Sequence, residues 1–136
     1  MAFVRETTVR LYDTDASGRL FFGARFRLSH EVFEEFRAEI GFALSAVLGE
    51  GTPLYPIVRA DADFKAPLAV DDRLRITLDV PKIGEHSFTL RFRLALPGGR
   101  EAATAEQVHV ALDATSGKPI PLAATLRKAL EPYRST

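Results

Sequence analysis

Alternation and helical spacing divide this chain into recognisable segments. From Phe3 to Leu11, Thr7, Val9 and Leu11 fall on one side and Glu6, Thr8 and Arg10 on the other, the two-residue period of a half-buried strand. Between about Gly23 and Ile40 the period lengthens. Phe26, Phe33, Phe36 and Ile40 share a helical face, Glu34, Glu35, Arg37 and Glu39 fall largely elsewhere, and Gly41 is placed to end the helix. Val32 and Phe33 widen the apolar stripe, as suits a helix embraced by a sheet. Gly49, Gly51 and Pro53 interrupt the next apolar segment and predict a brief helical turn and a loop between Phe42 and Pro53. Alternation then returns. Val58, Ala60, Ala62 and Phe64 alternate with Arg59, Asp61 and Asp63; Leu74, Ile76, Leu78 and Val80 alternate with Arg73, Arg75, Thr77 and Asp79. Phe88 to Leu96 forms a further set, and after Pro97-Gly98-Gly99 a last strand runs from about Ala102 to Leu112. Ser116-Gly117-Lys118-Pro119 breaks the pattern, and Pro121 opens a short helix with Leu122, Leu126 and Leu130 four apart. Five strands with one apolar face and one long helix predict an α+β domain with a mostly antiparallel sheet.

Composition bounds the class. The 136 residues are 46% hydrophobic and 26% charged, and a chain of this length buries on the order of two-thirds of its unfolded surface. One domain spanning residues 1–136 is therefore expected, without a disulfide or metal staple. Basic and acidic residues balance at 18 and 18, so the chain has no general electrostatic attraction to nucleic acid or to an acidic membrane, and any anion it binds must meet a local cluster. The lack of cysteine excludes thiolate catalysis and cysteine zinc sites, and three scattered histidines offer no metal-ligand spacing. The first ten residues are charged where a secretory signal needs an apolar run, and no apolar run approaches bilayer length. A cytoplasmic location with no membrane partner is the expectation.

Chemistry concentrates between Val9 and Phe36. Asp13, Thr14, Asp15, Ser17 and Gly18 are turn-forming residues set between the first strand and the long helix. This arrangement puts a carboxylate beside a helix start, where unpaired N–H groups and the positive dipole end suit a developing oxyanion. An isolated aspartate at such a place is ordinarily a helix cap.

The surrounding residues change that balance. Asp13-Thr14-Asp15, Gly18 and Leu20-Phe21-Phe22, continuing into a helix with His30-Glu31, resemble the 4-hydroxybenzoyl-CoA thioesterase type of hotdog-fold acyl-CoA thioesterases. With Asp63-Phe64, Ala66-Pro67 and Asp72-Arg73-Leu74 added, the pattern is most similar to the 1,4-dihydroxy-2-naphthoyl-CoA thioesterases of quinone synthesis, over nearly the whole chain. The resemblance implies a sheet curled around the long helix and a homo-oligomer, a tetramer built from dimers with sites between subunits. It makes Asp15 the catalytic carboxylate, as nucleophile or as general base toward water, and aims the Phe22 amide at the thioester oxygen. Gly18 becomes the glycine that lets backbone approach the ligand, and Phe21, His30 and Glu31 become candidates to contact the acyl group or support its site. Phe21 and Phe22 read equally as core aromatics, and His30 and Glu31 as ordinary helix-face residues. Asp13 fixes the turn. Arg25, where relatives differ, reads as a solvated helix-start residue, with an acidic acyl group or a neighbouring subunit as the other reading.

Coenzyme A, which enters as part of the substrate and not as a cofactor, brings three phosphates that a neutral chain must meet locally. Lys82, His86 and Ser87, in a segment resembling the turn beside the nucleotide in relatives, are the expected contacts, with Arg59 and Arg91 as further donors. The function implied is hydrolysis of an aromatic or medium acyl-CoA, hydroxybenzoyl and dihydroxynaphthoyl being the aromatic candidates. Hydrolysis of an acyl group carried on acyl carrier protein and non-catalytic acyl-CoA binding are the alternatives; a hotdog hydratase fits less well, for want of an Asp and His pairing.

Overall fold

The computed structural model describes residues 1–21, 23–42 and 53–135. Five strands, β1 (Phe3–Thr8), β2 (Ile57–Phe64), β3 (Arg73–Ile83), β4 (Ser87–Ala95) and β5 (Glu101–Val110), form one sheet in the order β1-β3-β4-β5-β2. Every neighbouring pair is antiparallel. Two helices are described, α1 (Ala24–Glu39, 16 residues) and α2 (Ala124–Leu130, 7 residues). This is the α+β hotdog architecture, with α1 as its long helix. The helical turn and loop expected between Phe42 and Pro53 fall almost entirely outside the described residues.

Side-chain alternation explains the layering. Leu74, Ile76, Leu78 and Val80 of β3 and Phe88, Leu90, Phe92 and Leu94 of β4 are all buried, and they pack in one cluster with Leu28, Val32, Phe33 and Phe36 of α1. Leu122, Leu126 and Leu130 join the same cluster. Burying each of these side chains contributes roughly 1.5–3 kcal/mol. Pro81 falls where the β3–β4 register shifts between Asp79 and Lys82, a place where a residue without an N–H leaves no ladder bond broken. Among the described residues no helix is long and apolar enough to cross a membrane.

Four sequence expectations are corrected. The first strand ends at Thr8, and Leu11 lies exposed in a 3₁₀ turn, Leu11–Asp13, because the Asp13 carboxylate accepts the Arg10 N–H at 3.0 Å and closes the chain. Leu122 precedes α2, which begins at Ala124. On α1, Phe26 is 39% exposed while Arg25 is fully buried, so the inward stripe begins at Arg25 and continues through Leu28, Ser29, Val32, Phe33 and Phe36. The β2 alternation does not mark an inner and an outer face: nearly the whole strand is exposed, since it is the sheet edge and no described element covers it.

Candidate active site

Asp15 sits in a small hairpin between β1 and α1. Thr14 bridges Leu20, the Asp15 N–H donates to the Arg19 carbonyl at 3.0 Å, and the Gly18 N–H donates to the Asp15 carbonyl at 3.0 Å. Gly18 closes this turn at φ 78°, a conformation that glycine adopts without steric cost. The returning arm docks on the segment after β2: the Leu20 N–H donates to the Leu68 carbonyl at 2.6 Å, and Arg19 bridges Ala69. Ala66 and Leu68 are buried beneath it. Asp15 therefore faces a groove of about 450 Å³ that it lines together with Ser17, Arg19, Phe64, Lys65 and Pro67.

The hairpin is anchored through Asp13. Its carboxylate is 1% exposed and takes Arg27 of α1 at both oxygens, Nε to Oδ1 and Nη2 to Oδ2 each at 2.8 Å, while its carbonyl accepts the Phe21 N–H at 2.8 Å. Arg27 continues to Glu31. The turn-fixing role expected of Asp13 is thus performed by its side chain and its backbone together.

The Asp15 carboxylate itself is exposed. Its Oδ1 accepts the Ser17 hydroxyl at 2.5 Å and the Ser17 N–H at 2.8 Å, and these bonds, the hydroxyl first, hold its pKa below the usual aspartate value. An aspartate in this setting is ionised throughout the neutral range, as a nucleophile or a base must be.

Phe21 is 47% exposed and lies against Gly23, where a Cβ would come within 2.7 Å of its ring. Phe22 lies outside the described residues. At the start of α1 the Ala24 and Phe26 N–H groups donate to the carbonyls of Phe21 and Gly23 at 2.9 and 3.1 Å, so these two amides are already engaged. His30 and Glu31 lie on the exposed face of α1, His30 3.6 Å from Glu34 and Glu31 on Arg27; neither lines the groove at Asp15. Lys82 and Ser87 share a groove of about 350 Å³ on the outer sheet face with Arg59, Asp61 and Glu106. His86 is not in that groove and stands 3.8 Å from Glu85. Arg91 is held by Asp79 at 3.1 and 3.2 Å and donates to the Ser135 hydroxyl at 3.0 Å. Among the described residues no group of three or more His, Asp or Glu side chains could hold a metal ion.

Sequence reasoning missed three features. Arg27 grips Asp13 across fourteen positions, which no local pattern encodes. Among the described residues Arg25 is buried with Nε and Nη2 unpartnered and Ser29 Oγ 3.5 Å from its Nη1, and burial lowers its pKa. The polar pair Gln107 and His109 occupies the buried face of β5, His109 stacked between Phe33 and Phe88 at 4.5 and 5.1 Å. Its Nδ1 carries the proton, because it lies 2.9 Å from the Tyr55 carbonyl, which only accepts.

A curled antiparallel five-stranded sheet with a 16-residue helix, and a carboxylate in the turn before that helix, matches a known family: residues 9–130 fit the thioesterase-like superfamily, and the chain belongs to it. Among curated relatives, the 1,4-dihydroxy-2-naphthoyl-CoA hydrolase of Thermosynechococcus vestitus is 33% identical over 130 residues, covering 93% of this chain and 89% of the relative. A solved 1,4-dihydroxy-2-naphthoyl-CoA thioesterase from Synechocystis superposes with a TM-score of 0.89 at 27% identity over 96% of both chains. A gentisyl-coenzyme A thioesterase gives 0.83 at 28% identity, covering 95% of this chain and 99% of its own.

Proposed function

We propose that this protein hydrolyses an aromatic acyl-CoA thioester to the free acid and coenzyme A, with Asp15 as the reacting carboxylate. The observation that carries the reading is Asp15 itself: an ionised carboxylate on the rim of a groove, held by one oxygen, in a chain of the thioesterase-like superfamily. The names of the relatives, dihydroxynaphthoyl-CoA hydrolase and gentisyl-coenzyme A thioesterase, support an aromatic acyl group and favour a hydroxylated one.

Two routes use the same carboxylate. As a base, Asp15 takes a proton from water while the water oxygen bonds to the thioester carbon; the C–S bond then breaks and the sulfur leaves as thiolate, which takes up a proton. As a nucleophile, Asp15 bonds to that carbon and expels the thiolate, and water hydrolyses the resulting anhydride. Either route builds negative charge on the carbonyl oxygen, and the Phe22 amide is the donor assigned to it by family resemblance. Gly18, Phe21, His30 and Glu31 are proposed to shape or support the acyl site. For the nucleotide, Lys82 and Ser87 with Arg59 form the favoured phosphate contact, Asp61 and Glu106 opposing them; His86 stands at its margin. No cofactor is needed, since coenzyme A arrives with the substrate.

The assembly proposed is a homo-oligomer. Ile57, Val58 and Phe64 of the edge strand β2 are 42%, 59% and 50% exposed, and an uncovered apolar edge strand is a template for pairing with another chain. Pairing would also bring a second subunit beside Phe64 in the Asp15 groove.

The test is thiol release across benzoyl-, gentisyl-, dihydroxynaphthoyl- and straight-chain acyl-CoAs, with sedimentation velocity on the same sample. Hydroxylated aromatic thioesters should turn over fastest, with the protein sedimenting above monomer mass. A folded protein that binds these thioesters without releasing thiol would replace the enzyme by a binding module.

A further inference from the structure

Asp15 and Asp113 occupy turns of similar construction, and their difference is informative. Asp113 Oδ1 accepts two backbone N–H groups, from Thr115 at 2.7 Å and Ser116 at 2.9 Å, and its turn closes on Gly117. Asp113 thus serves chiefly its own backbone, the Ser116 hydroxyl being the smallest of the causes that hold its pKa below the usual value, whereas at Asp15 the Ser17 hydroxyl is the largest. Asp15 Oδ1 accepts a single backbone N–H, from Ser17, and beside it the Ser17 hydroxyl. Both backbone groups of Asp15 are already bonded within the hairpin, the N–H to Arg19 and the carbonyl to Gly18. The hydroxyl is therefore not required to close the turn, and its effect falls on the carboxylate.

From this geometry we infer that Ser17 is a positioning residue for Asp15: it pins Oδ1 and turns Oδ2, on which no side-chain donor stands among the described residues, toward the thioester or the attacking water. The inference rests on the catalytic reading of Asp15. The two kinds of donor on Oδ1 differ in one respect. An amide N–H has a fixed direction and goes on favouring the anion throughout the reaction. A hydroxyl rotates about its C–O bond and can donate to the carboxylate or point its lone pair at an acid. When Asp15 is protonated as a base or acylated as a nucleophile, the Ser17 O–H can swing away, so that of the two donors on Oδ1 only the Ser17 N–H stays fixed against the neutral group. Ser17 so holds the carboxylate ionised and oriented before the reaction and yields as its charge is lost.

Three variants test this: Ser17→Ala, Ser17→Thr and Asp15→Asn. The pH profile of kcat/KM and a carbon NMR titration of the Asp15 carboxyl are measured for wild type and both Ser17 variants. Removing the hydroxyl should raise the acid-limb midpoint and the NMR midpoint together by about half to one pH unit, and lower kcat about three- to tenfold with KM nearly unchanged. Threonine, which keeps the hydroxyl, should restore both midpoints. Unmoved midpoints in Ser17→Ala, with Asp15→Asn inactive, would overturn the inference and leave the catalytic reading standing. Full activity of Asp15→Asn would overturn the catalytic reading, and the assignment of Oδ2 with it.

Discussion

Arg27 closes on the buried Asp13 through a two-point bridge, Nε to Oδ1 and Nη2 to Oδ2, each at 2.8 Å. This bridge joins the turn before the helix to the helix's first turns. Because Asp13 also accepts the Phe21 N–H, the arm that carries Asp15 is fixed at the same point. Replacing Arg27 by Met leaves Asp13, 1% exposed, with a backbone N–H as its remaining partner. Arg27 is about a third exposed, which moderates the loss; we expect about 2–4 kcal/mol of destabilisation, read as a lower denaturant midpoint at unchanged slope. Lysine should recover only part of it, since an ammonium does not match the two-point geometry. Wild-type stability in the Met variant would show that the bridge is ornamental.

Arg25 presents the opposite case. Its guanidinium is fully buried, stacked over Phe26 at 3.7 Å, with two nitrogens unpartnered among the described residues. A charge in that position opposes folding. Arg25→Met should raise stability by about 1–3 kcal/mol, and a thermal melt showing a lower midpoint would mean that the guanidinium is compensated by a group beyond the described residues, of this chain or of another molecule.

His109 gives the fold a pH dependence. Burial, the largest cause, lowers its pKa from 6.5 to about 4, so the folded protein holds a neutral ring where the unfolded chain would take a proton. The unfolded state therefore binds more protons between these values. Stability from this residue is fully present above pH 6.5 and is lost as pH falls toward about 4, by about 3 kcal/mol over the window. Urea midpoints from pH 7.5 to 4.5 should show that slope, and His109→Gln should flatten it; an equal slope in the variant would assign the dependence to other groups.

These residues also show how far the sequence could be read. The β3 and β4 patterns predicted the inner sheet face because both strands are central, covered by α1 and flanked by neighbours, so period two and burial coincide. The same pattern in β2 misled, since an edge strand has an inner face only once another chain or layer covers it. Phe26 and Arg25 exchanged places for a similar reason. At the first turn of a helix the inward direction is set by the preceding hairpin, and hydrophobicity then ranks the wrong residue first. The turn that carries Asp15 was legible from its turn-forming residues, and its bond to Ser17 is a local two-residue pattern; the catalytic role given to Asp15 comes from the family resemblance. The Arg27 bridge and the buried Gln107 and His109 pair depend on which elements meet in space, which spacing along the chain does not carry.

On the proposed mechanism Asp15 does the chemistry. The most direct measurement is thiol release from dihydroxynaphthoyl-CoA by wild type and Asp15→Asn at equal concentration, with circular dichroism and sedimentation showing both folded and alike in mass. The carboxamide keeps the Ser17 bonds in part and removes the charge, so turnover should fall by at least about a thousandfold. Comparable turnover by the two proteins would contradict the account and move the reaction to another group in the groove.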